Sequence, residues 1–239
     1  MSTFALKILA IITMLIDHAG VLLIPQNTPQ YVVFRAVGRI AFPIFAFLIV
    51  EGYFHTRDIS KYMKRLAVFA IISEIPYNLL LSGQALSVAK HSNLVLYEQL
   101  FNTSGQNVFF TLLAGLAAIY CMKKYERSKY STVLLPLALA LAAELLHTDY
   151  GAFGVVTIIF FYVFRNNRLS AIASVGALNI AFACLGFFDS NAYIQGFAVL
   201  AMIPIYFYSG NKGPSLKYFF YAFYPVHILL LFAAAVLIG

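Results

Sequence analysis

Long apolar runs separated by short polar connections make up most of the chain. Nine runs can be drawn, at approximately 4–24, 31–54, 61–82, 107–122, 130–147, 150–164, 169–187, 192–208 and 215–238. A helix that crosses a bilayer needs roughly 17–25 predominantly apolar residues. The pattern therefore predicts an all-α integral membrane protein, a polytopic bundle of about nine transmembrane helices. The sixth run is short, so eight spans plus a re-entrant segment is an open alternative.

Composition supports a surface that faces lipid. The chain is 62% hydrophobic and 10% charged, with a mean hydropathy of +0.84, whereas soluble domains carry about 25% charged residues. We expect one membrane domain over residues 1–239, with a long external connection at about 83–106. Cys121 and Cys184 both lie in apolar runs, which argues against a disulfide framework or a cysteine metal site. No metal is expected.

The basic residues alternate between successive connections. Connections after runs two, four, six and eight hold most of them, whereas Lys90 is alone on the alternate side. This is the positive-inside pattern, and it places the N-terminus in the cytoplasm and the C-terminus outside. Topology and anionic lipid thus account for the net charge of +7, and no nucleic-acid partner is expected. The residues on the cytoplasmic side are Arg57, Lys61, Lys64, Arg65, Lys123, Lys124, Arg127, Lys129, Arg165, Arg168, Lys212 and Lys217.

Two arginines lie inside the second run instead of at its ends. An arginine at the centre of a membrane helix costs about 2.5–3.5 kcal/mol on insertion scales. Arg35 and Arg39 are four residues apart, which puts them on one face of a helix. That face must look into a polar interior, with anions between the two guanidinium groups.

Other polar residues fall at a similar depth, counted from the outer boundary at about 1.5 Å per residue. We predict a polar chamber near the outer face. For Asp17 and Glu74 a purely structural role as counter-ions is equally open; Glu144 could be an interfacial carboxylate and His147 a loop residue. The predicted members are Asp17, His18, Arg35, Arg39, Glu74, Asn107, Glu144 and His147.

His18 is the candidate base, because histidine titrates near neutrality and is not needed to balance arginines. Lys7 and His18 fall on one helical face, whereas Asp17 points about 100° away, towards a neighbouring helix or an arginine. His227 follows Pro225 near the middle of the last run. We interpret it as a neutral histidine that is hydrogen-bonded to another helix.

Five segments of the chain, taken together, resemble the TraX family, which is named for the pilin N-acetylation protein of conjugative plasmids. The family is in turn similar to the transmembrane acyltransferases. Those proteins move an acyl group from cytoplasmic coenzyme A to an acceptor at or across the membrane. The segments are LKILAIITMLIDHAG, RAVGRIAFPIFAFLIVEGYFHT, FAIISEIPYN, QNVFFTLLAGL and KYFFYAFYPVHILLL.

The resemblance implies a multi-pass acetyltransferase of the bacterial cytoplasmic (inner) membrane. It implies that His18 is catalytic and that Arg35 and Arg39 serve the donor or the acceptor. Lys7 stands where superfamily members usually carry arginine. The implied partners are membrane lipids, acyl-CoA as donor and an external peptide or glycan as acceptor.

Acyl transfer from a thioester needs a base and positive charge near the developing oxyanion. We assign His18 as the base, with Asp17 beside it. The phosphates of acetyl-CoA would lie near Lys7, Arg57, Lys61 and Arg65. The residues expected to contact substrate or oxyanion are Arg35, Arg39, Glu74, Asn107, Glu144, His147 and His227.

Two other classes of function use the same residues. A proton- or anion-coupled transporter or flippase would also bury charges, and it would show inverted repeats and broken helices. No repeat is visible in the sequence. A non-catalytic scaffold would need the charges only for folding.

Overall fold

The structure is a computed structural model that describes residues 1–26, 28–82, 105–185 and 192–238. Regular structure within these ranges is helical, which confirms the predicted all-α class. Seven of the nine apolar runs each contain one helix whose ends lie within two residues of the predicted ones, whereas the runs 31–54 and 192–208 each contain two helices. The helices are α1 (Thr3–Leu23), α2 (Pro29–Gly38), α3 (Ala41–His55), α4 (Ile59–Ser82), α5 (Val108–Lys124), α6 (Lys129–Leu145), α7 (Gly151–Val163), α8 (Arg168–Leu185), a 3₁₀ helix (Ala192–Ala201), α9 (Met202–Tyr206) and α10 (Lys217–Ile238).

Several helices are suited to a bilayer. By length and composition, four stretches of the described chain could cross it: Thr3–Leu23, Pro29–His55, Arg168–Leu185 and Lys217–Ile238. Gly151–Val163 and Ala192–Tyr206 are apolar but shorter. Large apolar side chains point outwards, as at Leu237, which is 87% exposed, and lipid is the solvent that would favour this. The chain is a membrane protein; nine spans and the orientation of the termini stay predictions.

The chain divides into two compact units. The first comprises the described residues of Met1–Ile44, Ile72–Thr103 and Asn179–Gly239. The second comprises those of Phe45–Ile71 and Ser104–Leu178. The predicted external connection, 83–106, lies outside the described residues except for its last two positions.

The second apolar run is interrupted where the sequence predicted one continuous helix. Helix α2 ends at Gly38 and α3 begins at Ala41. The Arg39 N–H still bonds to Arg35 O at 3.1 Å, but Ile40 N–H bonds to Val37 O at 3.2 Å, one residue closer along the chain. Pro43 explains the break, because it has no N–H for the Arg39 carbonyl and its ring crowds that carbonyl. Arg39 therefore lies at a helix end within an apolar segment.

The connection before α4 carries a local cap. Asp58 Oδ1 accepts a hydrogen bond from the Lys61 N–H at 2.9 Å, and its Oδ2 lies 3.3 Å from Lys61 Nζ. The backbone hydrogen bond, followed by the bond to the Lys61 side chain, lowers the pKa of Asp58 below its ordinary value. Pro76 lies inside α4, which continues to Ser82.

Candidate functional site

A buried charge cluster lies in the first unit, where α1 meets α2. Arg35 Nη1 donates to Asp17 Oδ2 at 2.6 Å, and Arg39 Nη2 lies 3.3 Å from the same oxygen. The side chains are 10–23% exposed. One carboxylate thus lies between two guanidinium groups, which is the arrangement needed to hold two arginines on one face of a helix.

Two glycines allow α1 and α2 to approach closely at this cluster. A Cβ added at Gly38 would lie 2.1 Å from Oδ1 and 2.2 Å from Cβ of Asp17. A Cβ at Gly20 would lie 2.6 Å from Cβ of Phe34. Neither position has room for a side chain, so the Asp17 carboxylate occupies the space over Gly38.

Two amides extend the cluster, and sequence reasoning missed both. Gln195 Oε1 accepts from Arg39 Nη1 at 3.5 Å, the long limit of a hydrogen bond. Gln195 Nε2 donates to Asn179 Oδ1 at 3.0 Å. Gln195 is 6% exposed and Asn179 is fully buried. A signal existed, since each is an isolated amide within an apolar run, but its partner could not be read from spacing.

A pair of histidines lies next to the cluster along α1. His18 Nδ1 is 2.7 Å from His227 Nε2 of α10, and the two rings lie within 8° of parallel. His227 Nδ1 is 2.7 Å from the backbone oxygen of Phe223, one turn back in the same helix. Tyr224 meets both imidazoles edge to face, with centroids 5.9 Å from each. The structure thus gives His227 the partner on another helix that its position predicted.

The cluster brings two guanidinium groups to one carboxylate. Asp17 is contacted by both Arg35 and Arg39. Guanidinium groups in a largely buried site are suited to an anion or to oxygen that becomes negative during a reaction. With His18 adjacent to Asp17 in α1, the first unit combines a candidate base with a candidate oxyanion site.

Lys7 lies in the first unit, near the start of α1. Its Nζ lies 5.1 Å from the centroid of the Phe220 ring of α10, a cation–π contact. The start of α1 is bound by the segment before α10, where Thr3 N–H donates to Asn211 O at 2.7 Å and Phe4 N–H to Lys212 O at 3.1 Å. A role of Lys7 in binding the donor stays a prediction.

Glu74 is half-buried in α4, also within the first unit. Three other predicted chamber members belong to the second unit, where each has a local structural contact. Asn107 is fully buried; its Oδ1 accepts from Phe109 N–H at 3.1 Å, and its Nδ2 donates to Ala70 O at 2.7 Å. Glu144 is exposed and its Oε2 accepts from Ala152 N–H at 2.9 Å, at the start of α7. Their roles in binding substrate stay predictions.

His147 is exposed and has a φ of 50° in the turn between α6 and α7. Its carbonyl accepts from Gln106 N–H at 3.0 Å. A left-handed backbone at a turn is a local solution that histidine tolerates better than most residues. The structure therefore gives this residue a position in a turn, and its predicted contact with substrate stays untested.

The remaining basic residues proposed for the donor lie in the second unit, around the start of α4. Arg57 and Lys61 are exposed. Lys61 pairs with Asp58, and Arg65 lies 5.5 Å from the centroid of the Tyr62 ring. Their role towards acetyl-CoA stays a prediction.

The second unit contains an ion pair that sequence reasoning did not predict. Arg165 Nε donates to Glu51 Oε1 at 3.0 Å, and the guanidinium carbon lies 4.1 Å from the centroid of the Phe54 ring. Tyr162 in turn lies against Phe54, with centroids 5.8 Å apart and planes within 12° of parallel. The charge pattern along the sequence accounts for Arg165 only as a cytoplasmic residue.

No group of three or more His, Cys, Asp or Glu side chains that could hold a metal ion is found within residues 1–26, 28–82, 105–185 and 192–238.

Apolar helices of membrane-spanning length, with charged and hydrogen-bonding side chains buried among them, define an integral membrane protein with an internal polar site. The particular family follows from comparison: residues 2–235 match the family described as TraX protein, and the chain belongs to it. The predicted resemblance is thereby confirmed.

A curated relative supports the same assignment. It is the "Probable fimbrial assembly protein FimC, serogroup H1" of Dichelobacter nodosus, 31% identical over 247 residues. The alignment covers 98% of this chain and 95% of the relative. No solved structure matches the chain.

Proposed function

We propose that this protein is a membrane-embedded acetyltransferase. It takes the acetyl group from cytoplasmic acetyl-CoA and gives it to an amine or hydroxyl on the outer side of the bacterial inner membrane. The observation that carries the proposal is the first-unit site, where a buried imidazole held by a second histidine adjoins a carboxylate bound to two arginines. A base next to positively charged groups is what acyl transfer from a thioester requires.

His18, Arg35 and Arg39 together account for the proton and the negative charge that move during acyl transfer. His18 accepts a proton from the acceptor amine or hydroxyl as its nitrogen or oxygen attacks the thioester carbonyl carbon. The carbonyl oxygen becomes negative and is stabilised by Arg35 and Arg39. Collapse of the tetrahedral intermediate breaks the carbon–sulfur bond, and the protonated His18 returns the proton to the departing thiolate. The products are an acetylated acceptor and coenzyme A.

The acceptor we favour is the N-terminus of a fimbrial or pilin subunit. The family resemblance concerns pilin N-acetylation, and the relative from Dichelobacter nodosus is named for fimbrial assembly. A surface glycan hydroxyl is the alternative acceptor, because the same base and oxyanion site would serve an oxygen nucleophile.

The test measures acetyl transfer by the purified protein in nanodiscs. Radiolabelled acetyl-CoA is supplied with a peptide matching a pilin N-terminus, with the same peptide already blocked at its N-terminus, and with a surface oligosaccharide. We expect label on the free peptide only, and a fall of about 10²–10⁴-fold in His18→Ala. His55→Ala is the matched control, because His55 lies at the end of α3 and contacts the Glu51 carbonyl. Full turnover by His18→Ala would refute the assignment.

A transporter or flippase is the second candidate, and one observation favours it. The interruption between α2 and α3 places Arg39 at a helix end within an apolar segment, as transporters do around their substrates. Flux of an anionic substrate into proteoliposomes without any acyl-CoA would support this candidate. Transfer of label without such flux would exclude it.

A further inference from the structure

We infer that His227 is a positioning residue that fixes the tautomer of His18. The hydrogen bonds of the histidine pair run in one direction and leave the basic lone pair on His18 Nε2. The inference rests on the proposed function, since it assumes that His18 is the base. It adds a role that the family resemblance did not carry. The sequence by itself predicts only substrate binding or a hydrogen bond between helices for His227.

The direction of the hydrogen bonds in the histidine pair follows from the Phe223 carbonyl. The Phe223 carbonyl oxygen can only accept, so His227 Nδ1, 2.7 Å away, must carry a proton. In the neutral imidazole, His227 Nε2 then bears the lone pair. His18 Nδ1, 2.7 Å from that lone pair, must therefore be the donor. The lone pair of a neutral His18 is left on Nε2, which becomes its only basic nitrogen.

The geometry favours this hydrogen bond over ring stacking. The centroids are 4.9 Å apart although the two nitrogens are only 2.7 Å apart, and the planes differ by 8°. The rings therefore meet at their edges, where the N–H and the lone pair point. His227 is further held by the Phe223 ring, whose centroid is 4.7 Å away. With His227 only 4% exposed, the arrangement has little room for water to replace it.

The arrangement suits a base that must become charged. When His18 takes a proton on Nε2, its Nδ1–H already points at the lone pair of His227. The imidazolium is stabilised without any other proton having to move. A histidine that orients a second histidine in this way does what a carboxylate does in a hydrolase triad, and without adding a negative charge beside the acceptor.

The first experiment needs no enzymatic activity. Protein labelled with ¹⁵N at its histidine rings is studied in lipid by solid-state NMR, with His18→Gln and His227→Gln used to assign the signals. We expect both rings to be protonated at Nδ1 in the wild type. In His227→Leu, we expect His18 to lose this preference. A wild-type His18 protonated at Nε2, or a tautomer that is unchanged in His227→Leu, would overturn the inference.

The second experiment separates positioning from folding by kinetics. His227→Leu should lower kcat by about 10–100-fold, as loss of a group that orients a ligand or base does, with KM unchanged. His227→Gln, whose amide oxygen can accept from His18, should restore much of kcat. His55→Leu is the control, because His55 Nδ1 also donates to the carbonyl four residues back, and within the described residues no other histidine is bonded to it. A kcat that is equal in Leu and Gln variants would contradict positioning.

The two proposals fail in different ways. If the wild-type protein transfers no label to any acceptor, the proposed acetyltransferase activity is refuted. The tautomer of His18 measured by NMR still tests the proposed histidine pair. If the wild-type protein transfers label but its neutral His18 is protonated at Nε2, the proposed role of His227 is refuted and the acetyltransferase activity stands.

Discussion

Each of the two units contains a largely buried site where a carboxylate pairs with arginine. The sites differ in the number of arginines that contact the carboxylate. In the first unit Asp17 serves both Arg35 and Arg39, at 2.6 and 3.3 Å. In the second unit Glu51 Oε1 pairs with Arg165 at 3.0 Å, and His55 Nδ1 lies 4.0 Å from Glu51 Oε2. The Arg165 guanidinium lies 4.1 Å from the centroid of the Phe54 ring.

The difference separates a structural ion pair from a candidate site. An ion pair covered by an aromatic ring stabilises the packing of its own helices. Two guanidinium groups at one carboxylate, next to the buried pair of His18 and His227, are suited to stabilise an oxyanion. The neighbouring histidine pair, more than burial, distinguishes the first site from the second.

The largest expected effect on stability comes from removing either carboxylate. Asp17→Asn and Glu51→Gln should each destabilise the protein by about 3–5 kcal/mol, because each neutralises a buried carboxylate that pairs with arginine. Thermal unfolding followed by circular dichroism in detergent measures this. At a temperature where both variants remain folded, Asp17→Asn should lose acetyl transfer while Glu51→Gln keeps it. Equal loss of transfer would break the comparison.

Removing one arginine from each site comes next. Arg39→Leu should lower kcat by about 10²–10³-fold, the usual cost of losing one oxyanion donor. Arg165→Leu should lower the melting temperature with kcat per folded molecule unchanged. Lys124→Leu, on an exposed residue, provides the surface control. A similar kcat in Arg39→Leu and Lys124→Leu would count against the first-unit site.

Gly38 lies against the Asp17 carboxylate, and substituting it should have an intermediate effect. Gly38→Ala would place a Cβ 2.1 Å from Asp17 Oδ1, so the carboxylate must move away from the arginines. We expect a loss of about 1–3 kcal/mol, the range for overpacking, together with reduced transfer. Gly196→Ala is the matched control in the same unit, because its Cβ would meet Ala183 Cβ at 3.5 Å, an ordinary contact. Indistinguishable melting curves would contradict the close approach.

The smallest effect is expected at the aromatic cover of the second site. Phe54→Leu keeps an apolar side chain but removes the ring over Arg165, which should cost about 0.5–1 kcal/mol. The readout is again the thermal midpoint, with Phe207→Leu as an exposed control. Transfer activity should not change; a marked loss would mean that the second pair takes part in catalysis.

The candidate site was partly predictable from sequence. The spacing of Arg35 and Arg39 required an anion between them, and Asp17 lies there. The amides Gln195 and Asn179 were missed, because an isolated amide in an apolar run gives no direction for its partner. The break after Gly38 was also missed, although Pro43 gave a local signal for it.

Hydropathy by itself determined that the described part of the chain is helical, because apolar runs of this length are satisfied in lipid only when their backbone hydrogen bonds close internally. It also determined where most of these helices begin and end, the break after Gly38 being an exception. It also determined that buried arginines must find an anion. Only the tertiary structure decided that His18 meets His227, which is 209 residues away in sequence. Hydrogen-bond direction depends on atoms placed within a few tenths of an ångström, and residue spacing along separate helices carries no such information.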